Sequence, residues 1–284
     1  MTAVVQSNLI LAVLFSALFI VAADGQSSAQ TMINGSTRES FTACEDNSEV
    51  ALGEKVLQNN VWNRDSTGVQ CVFPGLFSGL PVSGPEGPAA KAVSSWIWSW
   101  PRKNEGDKSK APLSYPSLIY GFKPWRGLTT MDRLPVKVST LNELNVTYAI
   151  STHAQGAYNT SFEIWLTRSG RPKPEDITTE VMIWLNSHQV TPAGNYKGTV
   201  ELDGEKYGLW VGRVEYWRYI VFNAEKPSRS GSLKLKSFLD ELKRRREIGA
   251  DTWLSSVEFG NEITSGRGRT IVKAFNITSG RNRE

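Results

Sequence analysis

Two glutamates anchor the most informative segments of this chain. Glu180 opens Glu180-Val181-Met182-Ile183-Trp184-Leu185, and Glu262 closes Val257-Glu258-Phe259-Gly260-Asn261-Glu262. Side chains alternate across a strand with period two. Val181, Ile183 and Leu185 therefore share an apolar face, while Glu180, Met182, Trp184 and Asn186 share the other. Residues 160–167 repeat the design, with Phe162, Ile164 and Leu166 inward and Glu163, Trp165 and Thr167 outward. In the last segment Val257 and Phe259 turn inward, opposite Glu258, Gly260 and Glu262. An unpaired carboxylate is costly inside a core, so the acidic face belongs to a groove. Carboxylates gathered on one surface raise at least one pKa. A raised acid beside an ionised partner, on a sheet lined with tryptophan, is equipment for cutting a glycosidic bond. Periodicity leaves open which two of the four acids react. The alternative for each is a solvated strand residue, or an ion pair with Arg168, Arg213 or Arg218.

These segments must be held side by side. From about residue 43, β-type runs recur at 60–62, 95–100, 117–121, 136–139, 145–152, 161–167, 180–186, 196–202, 207–211, 217–223, 255–261 and 272–277, with turn residues between them. Such spacing predicts an all-β fold, an antiparallel sandwich or a jelly roll. Helices do not alternate with the strands, which excludes a purely βαβ architecture. One stretch departs from the pattern. Over 233–247, Leu235, Phe238, Leu239 and Leu242 fall at helical spacing, with Lys234, Lys236, Lys243 and Arg244 to Arg246 opposite and Gly249 as the stop. One helix packed on the outside of the sandwich is expected. Its basic run reads as a solvated helix end, where cations meet the negative end of the dipole, rather than as a nucleic-acid patch. Residues 101–113 read as an exposed polar insertion. No internal repeat or second boundary is visible, so 43–284 is expected to be one domain.

Residues 9–23 are almost wholly apolar and are followed by Asp24-Gly25-Gln26-Ser27-Ser28. Residues 1–29 are therefore expected to be a signal peptide, cleaved after Ala23 or Ala29, with 30–42 a polar leader. The apolar stretch is shorter than the roughly 20 residues that span a bilayer. A secreted chain with no stable membrane association after signal removal is expected. The only two cysteines, Cys44 and Cys71, should then pair as a disulfide; two buried thiols would fit a cytosolic chain instead. Asn34, Asn145, Asn159 and Asn276 begin sequons that matter only in a glycosylating host. The net charge is +4 with scattered Lys and Arg, so no stripe tracks phosphates and no nucleic-acid partner is expected. Neither His153 nor His188 has ligand spacing with a cysteine, so neither a metal nor an organic cofactor is expected. Ten tryptophans imply a heavy core or flat sugar-stacking platforms.

Several segments, in order over residues 43–279, resemble glycoside hydrolase family 12, the jelly-roll endoglucanases and xyloglucanases, in the style of its bacterial and archaeal members. Asn59-Asn60-Val61-Trp62-Asn63 resembles the family's asparagine–tryptophan strand, and Tyr115-Pro116-Ser117-Leu118-Ile119-Tyr120-Gly121 its tyrosine–proline strand. Glu180-Val181-Met182-Ile183-Trp184-Leu185 is similar to the motif carrying the nucleophile. Thr191-Pro192-Ala193-Gly194 falls at the loop over the substrate, and Glu258-Phe259-Gly260-Asn261-Glu262 resembles the segment carrying the acid/base. The resemblance implies Glu180 as nucleophile, Glu262 as acid/base and Glu163 as hydrogen-bond partner of the nucleophile. It also implies a Cys44–Cys71 disulfide and glucosyl contacts at Asn60, Trp62, Met182 and Pro192.

The expected reaction is retaining, endo-acting cleavage of β-1,4-glucosidic bonds in a cellulose-type glucan by a monomeric enzyme. Trp62 would stack on a sugar ring, with Trp184 facing the groove and Trp98 or Trp125 adding a platform. Trp96, Trp98 and Trp100 serve equally well as core. The alternatives are a xyloglucan-specific endoglucanase, a non-catalytic carbohydrate-binding protein on the same fold, and a surface protein tethered by residues 9–23.

Overall fold

Alternating apolar and polar residues favour strands that bury one face, and two such faces closing on each other make a sandwich core. The computed structural model describes residues 42–63, 68–75, 92–100, 111–130, 133–249 and 251–281. Glu39–Glu284 is one compact unit. The expected signal, the leader up to residue 41, the Asn34 sequon and residues 101–110 of the insertion lie outside the described residues.

The strands are β1 (Glu49–Leu52), β2 (Lys55–Gln58), β3 (Val69–Pro74), β4 (Ser94–Trp100), β5 (Ser117–Lys123), β6 (Leu128–Thr129), β7 (Val136–Lys137), β8 (Leu141–Gln155), β9 (Tyr158–Thr167), β10 (Ile177–His188), β11 (Asn195–Leu202), β12 (Glu205–Val214), β13 (Trp217–Ala224), β14 (Ser230–Lys234), β15 (Trp253–Gly260) and β16 (Gly266–Arg281). One helix, α1 (Leu235–Arg244), precedes β15. The large sheet runs β1-β2-β5-β15-β9-β10-β13-β12-β11, with β6 on β5 and β7 on β15. The small sheet runs β14-β8-β16-β4-β3. The all-β jelly roll read from the sequence is the observed fold.

One pairing is not antiparallel. β10 and β13 run parallel, Glu180 opposite Tyr219. β11, β12 and β13 form antiparallel hairpins that fold back against β10. The link over 189–194 must therefore cross two strand positions to reach β11. It passes so close to β12 that a Cβ on Gly194, at φ 91°, would lie 2.6 Å from the Val211 carbonyl. Only glycine fits that crossing.

Between the sheets sits an aromatic core. Phe162, Phe259 and Phe275 stack, with ring centroids 4.5 and 5.6 Å apart, and Tyr148 meets Phe162 edge-on. Trp96, Trp98 and Trp100 of β4 are all buried there, so Trp98 is core and not a sugar platform. The helix buries Leu235, Phe238, Leu239 and Leu242 as its spacing predicts, with Phe238 edge-on to Tyr207 and Phe222. Its stop is not Gly249. Arg246 takes φ 59° while Glu247 N–H reaches Leu242 O and Arg246 N–H reaches Lys243 O, the two closing bonds of a left-handed cap. Arg244 and Arg245 bond Glu241, and Arg218 pairs with Glu247. The basic helix end is thus engaged by neighbouring acids.

Cys44 and Cys71 form the expected disulfide. Beside it Ala43 pairs with Val72, tying the segment that leads into β1 of the large sheet to β3 of the small one. In the chain-entropy account a loop of this length contributes about 3.5 kcal/mol by restricting the unfolded chain. Replacing both cysteines by alanine should lower the urea-unfolding free energy by roughly that amount and raise the m-value, because the unfolded chain is no longer restricted. An unaltered midpoint would contradict the role.

Candidate active site

Five neighbouring strands, β5, β15, β9, β10 and β13, present one face to the cleft. Their register brings the acids together. Glu258 lies opposite Glu163, Glu163 opposite Met182, and Glu180 opposite both Trp165 and Tyr219. Glu163 therefore has one acid beside it and another on the diagonal. The phenylalanine core lies on the far side of the same strands.

Glu180 is buried, and its Oε2 accepts the Trp217 Nε1–H at 2.7 Å. Burial first, then the charge of Glu262, push its carboxyl up to about 8, against the opposing hydrogen bonds from Trp217 and Glu163. Glu163 accepts the Trp165 Nε1–H at 3.1 Å. Burial, then the charges of Glu258 and Glu180, hold it well above the carboxylate range.

Glu262 is gripped by the buried Asn159. The Asn159 amide donates to Glu262 Oε2 at 2.5 Å, and its Oδ1 accepts the Glu262 backbone N–H at 3.2 Å. Burial raises Glu262 to about 7, with the Asn159 bond pulling the other way. The preceding residue, Asn261, is fully engaged. Its amide donates to Asn159 O and Thr160 Oγ1, both at 2.8 Å. Its Oδ1 accepts from Trp96 Nε1 at 2.8 Å and Thr270 Oγ1 at 2.7 Å. Glu262 thus hangs from a residue bonded to both sheets. Asn159 is committed to this grip and buried, which corrects its reading as a sequon.

Glu258 is different in kind. It is 0 % exposed and pairs with Lys123 Nζ at 2.9 Å and Ser117 Oγ at 3.2 Å. Its Oε1 has no donor among the described residues. The expected arginine partners are occupied elsewhere: Arg168 faces Asp176, Arg218 faces Glu247, and Arg213 bonds the Tyr216 carbonyl. One ion pair of the anticipated kind exists, but its cation is Lys123.

The aromatic residues divide into two groups. Trp125 is 46 % exposed and stands edge-on to Trp165 and Trp217, at 4.6 and 5.9 Å, beside Glu180. Trp62 is 52 % exposed; bridges from Val61 to Ser114 and from Ser114 to Ile263 place it near the Glu262 end. Met182 and Trp184 are buried, contrary to their expected contact with sugar. Trp184 Nε1–H and Tyr219 O–H both point at the Met182 sulfur at 3.4 Å. With Val221, and with Val190 and Trp210 packed against them, they form a solid floor beneath the cleft. Pro192 is likewise buried in the crossing link. Asn60 is half-buried, its carbonyl accepting the Tyr115 N–H at 2.8 Å.

Trp217, Asn159 and Lys123 were not singled out by the sequence. Trp217 and Tyr219 alternate as cleft-facing residues do, but only the parallel β10–β13 pairing reveals that they face Glu180. Asn159 sits two residues before Ser161 on a strand already recognised, hidden by its sequon pattern.

The sequence profile of glycosyl hydrolase family 12 matches residues 53–279. Endoglucanase S of Pectobacterium parmentieri is 30% identical over 230 residues, covering 78% of this chain and 80% of that protein. A probable xyloglucan-specific endo-beta-1,4-glucanase A of Aspergillus clavatus is 23% identical, covering 78% and 85%. Among solved structures, a family 12 xyloglucanase from Bacillus licheniformis superposes with TM-score 0.72 at 23% identity, covering 84% of this chain and 100% of the other. An endoglucanase from Rhodothermus marinus gives 0.69 at 24% identity, covering 85% and 100%. The two-sheet fold is shared with both. With most of its length matched by one profile, the chain belongs to glycosyl hydrolase family 12.

Proposed function

We propose that this protein is a retaining endo-hydrolase of β-1,4-glucans, with Glu180 as nucleophile and Glu262 as acid/base. The observation that carries the reading is electrostatic. Two glutamates from distant parts of the chain face one cleft, the charge of Glu262 acts on Glu180, and the two have separate sets of donors. The names of the relatives, an endoglucanase and xyloglucan-specific glucanases, support a β-1,4-glucan substrate.

The assignment of roles follows the family resemblance: Glu180 and Glu262, raised to about 8 and about 7, share one proton near neutrality, and the reacting form is the one in which Glu262 carries it. Trp217 N–H and Glu163 both bond Glu180, and such bonds favour its anion. Glu163, held well above the carboxylate range by burial and its acidic neighbours, keeps a proton that it can donate to Glu180 as a hydrogen bond. Glu262 has one side-chain donor, Asn159, and keeps its own proton to about pH 7. Glu262 protonates the glycosidic oxygen as a Glu180 oxygen attacks the anomeric carbon. The leaving sugar departs with that proton, and an ester forms on Glu180. Glu262, now a carboxylate, takes a proton from water, whose oxygen displaces Glu180 with a second inversion. Retention calls for carboxyls roughly 5–5.5 Å apart. Trp62 and Trp125 offer faces for sugar rings, and Met182 and Trp184 hold the floor under them. Around this site the chain is read as secreted, with residues 1–29 a signal, 30–42 a leader and 43–284 a monomeric catalytic domain.

Glu180→Gln should lower turnover of soluble β-glucan by several orders of magnitude while circular dichroism and unfolding midpoint stay near the parent's. Near-parental hydrolysis would refute the assignment. Glu180 and Glu262 titrate as a pair, so the plot of kcat/KM against pH should fall on its alkaline side between about 7 and about 8, where the pair loses the proton it shares. A flat profile to pH 9 would rule Glu262 out as the acid. Glu163 titrates higher folded than unfolded, so the folded chain holds an extra proton above the ordinary carboxylate range, and stability falls as pH rises through that window. Glu163→Gln should therefore raise the melting temperature at pH 8 more than at pH 5, measured by calorimetry. Equal shifts at both values would contradict the buried, proton-holding role.

A further inference from the structure

Beyond the acids, the concave face carries a second concavity that the mechanism does not use. It encloses about 470 Å3 beside β10, β11, β12 and β13, within the range of roughly 300–1,000 Å3 typical of small-ligand sites. Tyr196, 53 % exposed, and Trp210 form one wall, their rings 5.4 Å apart and tilted by 55°. Asn186, Asn223 and Glu225 line the rest. The side chains of Asn186 and Asn223 make no hydrogen bond to protein among the described residues, leaving both amides available. Glu225 is oriented by Thr199 Oγ1 at 3.2 Å, which also meets the Tyr196 hydroxyl at 2.9 Å. Gly208 keeps the hollow open: a Cβ there would come within 3.3 Å of the Tyr196 ring and 3.6 Å of Trp210 Nε1.

We propose that this hollow is an outlying platform that holds a pyranose unit of a β-glucan chain, remote from the bond being cut. An exposed aromatic face matches the apolar C–H face of a sugar. Two free amides and a held carboxylate match its ring of hydroxyls, which both donate and accept. The hollow's net charge, one carboxylate, disfavours anionic ligands. It adjoins the floor of the cleft, because Trp210 packs on Met182 and Trp184. Asn186 follows Glu180 by six residues on β10, on the order of 20 Å along the strand. A chain bound there gains affinity through its length without touching the reacting acids. The proposal rests on the glucan reading given above and extends it to a second point of attachment.

The test uses Tyr196→Ala, which removes the platform, and Gly208→Leu, which fills the hollow while keeping the tyrosine. Each is compared with the parent by migration through gels containing hydroxyethylcellulose and by hydrolysis of the same polymer. The expected result is about tenfold weaker retention and a comparable rise in KM for both variants, with kcat within about twofold, the size of change that losing one stacked ring produces. A hydrolysing parent whose two variants match it in retention and KM overturns the platform alone. A parent that neither hydrolyses nor is retained overturns the glucan reading, and the platform with it.

Discussion

Like charges confined on one buried face cannot all ionise, and that constraint organises this molecule. Glu163, Glu180, Glu258 and Glu262 share the cleft side of adjoining strands or their ends, where water is largely excluded. Each carboxylate is therefore given its own answer. Glu258 receives a cation, Lys123. Glu163 is left with the least favourable site for charge and holds a proton. Glu180 receives two donors that reward its anion, and Glu262 receives an amide and a place at the rim. The different states of the four carboxyls are thus produced by partners rather than by residue type, since all four are glutamates.

The rest of the fold keeps those partners in place. The aromatic core lies on the opposite side of the same strands, so packing of Phe162 against Phe259 also fixes Glu163 and Glu258 one residue away. Asn261, bonded to β9 and to Trp96 and Thr270 of the small sheet, transmits the position of both sheets to Glu262. The parallel β10–β13 pair brings Trp217 to Glu180, and the link over 189–194 that precedes β11 passes close to Val211 at a glycine. Buried polar groups with complete hydrogen bonding hold a geometry more tightly than apolar contacts, which slide.

The design has an energetic consequence. Buried carboxylates with raised pKa values weaken the fold as the solution becomes alkaline. The disulfide and the phenylalanine stack offset that cost, the stack from the opposite face of the same strands.

Much of this was legible in one dimension. Period-two alternation around Val181, Ile183 and Leu185, and again around Phe162, Ile164 and Leu166, sufficed to name the core face, the acidic face and the all-β class. Helical spacing sufficed for α1. Motif order pointed to the family and, through it, to Glu180, Glu262 and the Cys44–Cys71 pair. Short edge strands such as β1 and β14 escaped, because a few largely exposed residues carry too little periodicity; β14 runs directly into the helix at Leu235 and was absorbed by its pattern. The burial of Met182 and Trp184 was not legible for a related reason. Alternation tells which side of a sheet a residue faces, not what covers that side, and here Val190, Trp210 and Tyr219 cover it. Lys123 beside Glu258, Trp217 on Glu180 and Asn159 on Glu262 were decided by strand order and register alone. Sequence period is a local property of the backbone. Which strands become neighbours is a global one, settled only when the two sheets close over a shared core.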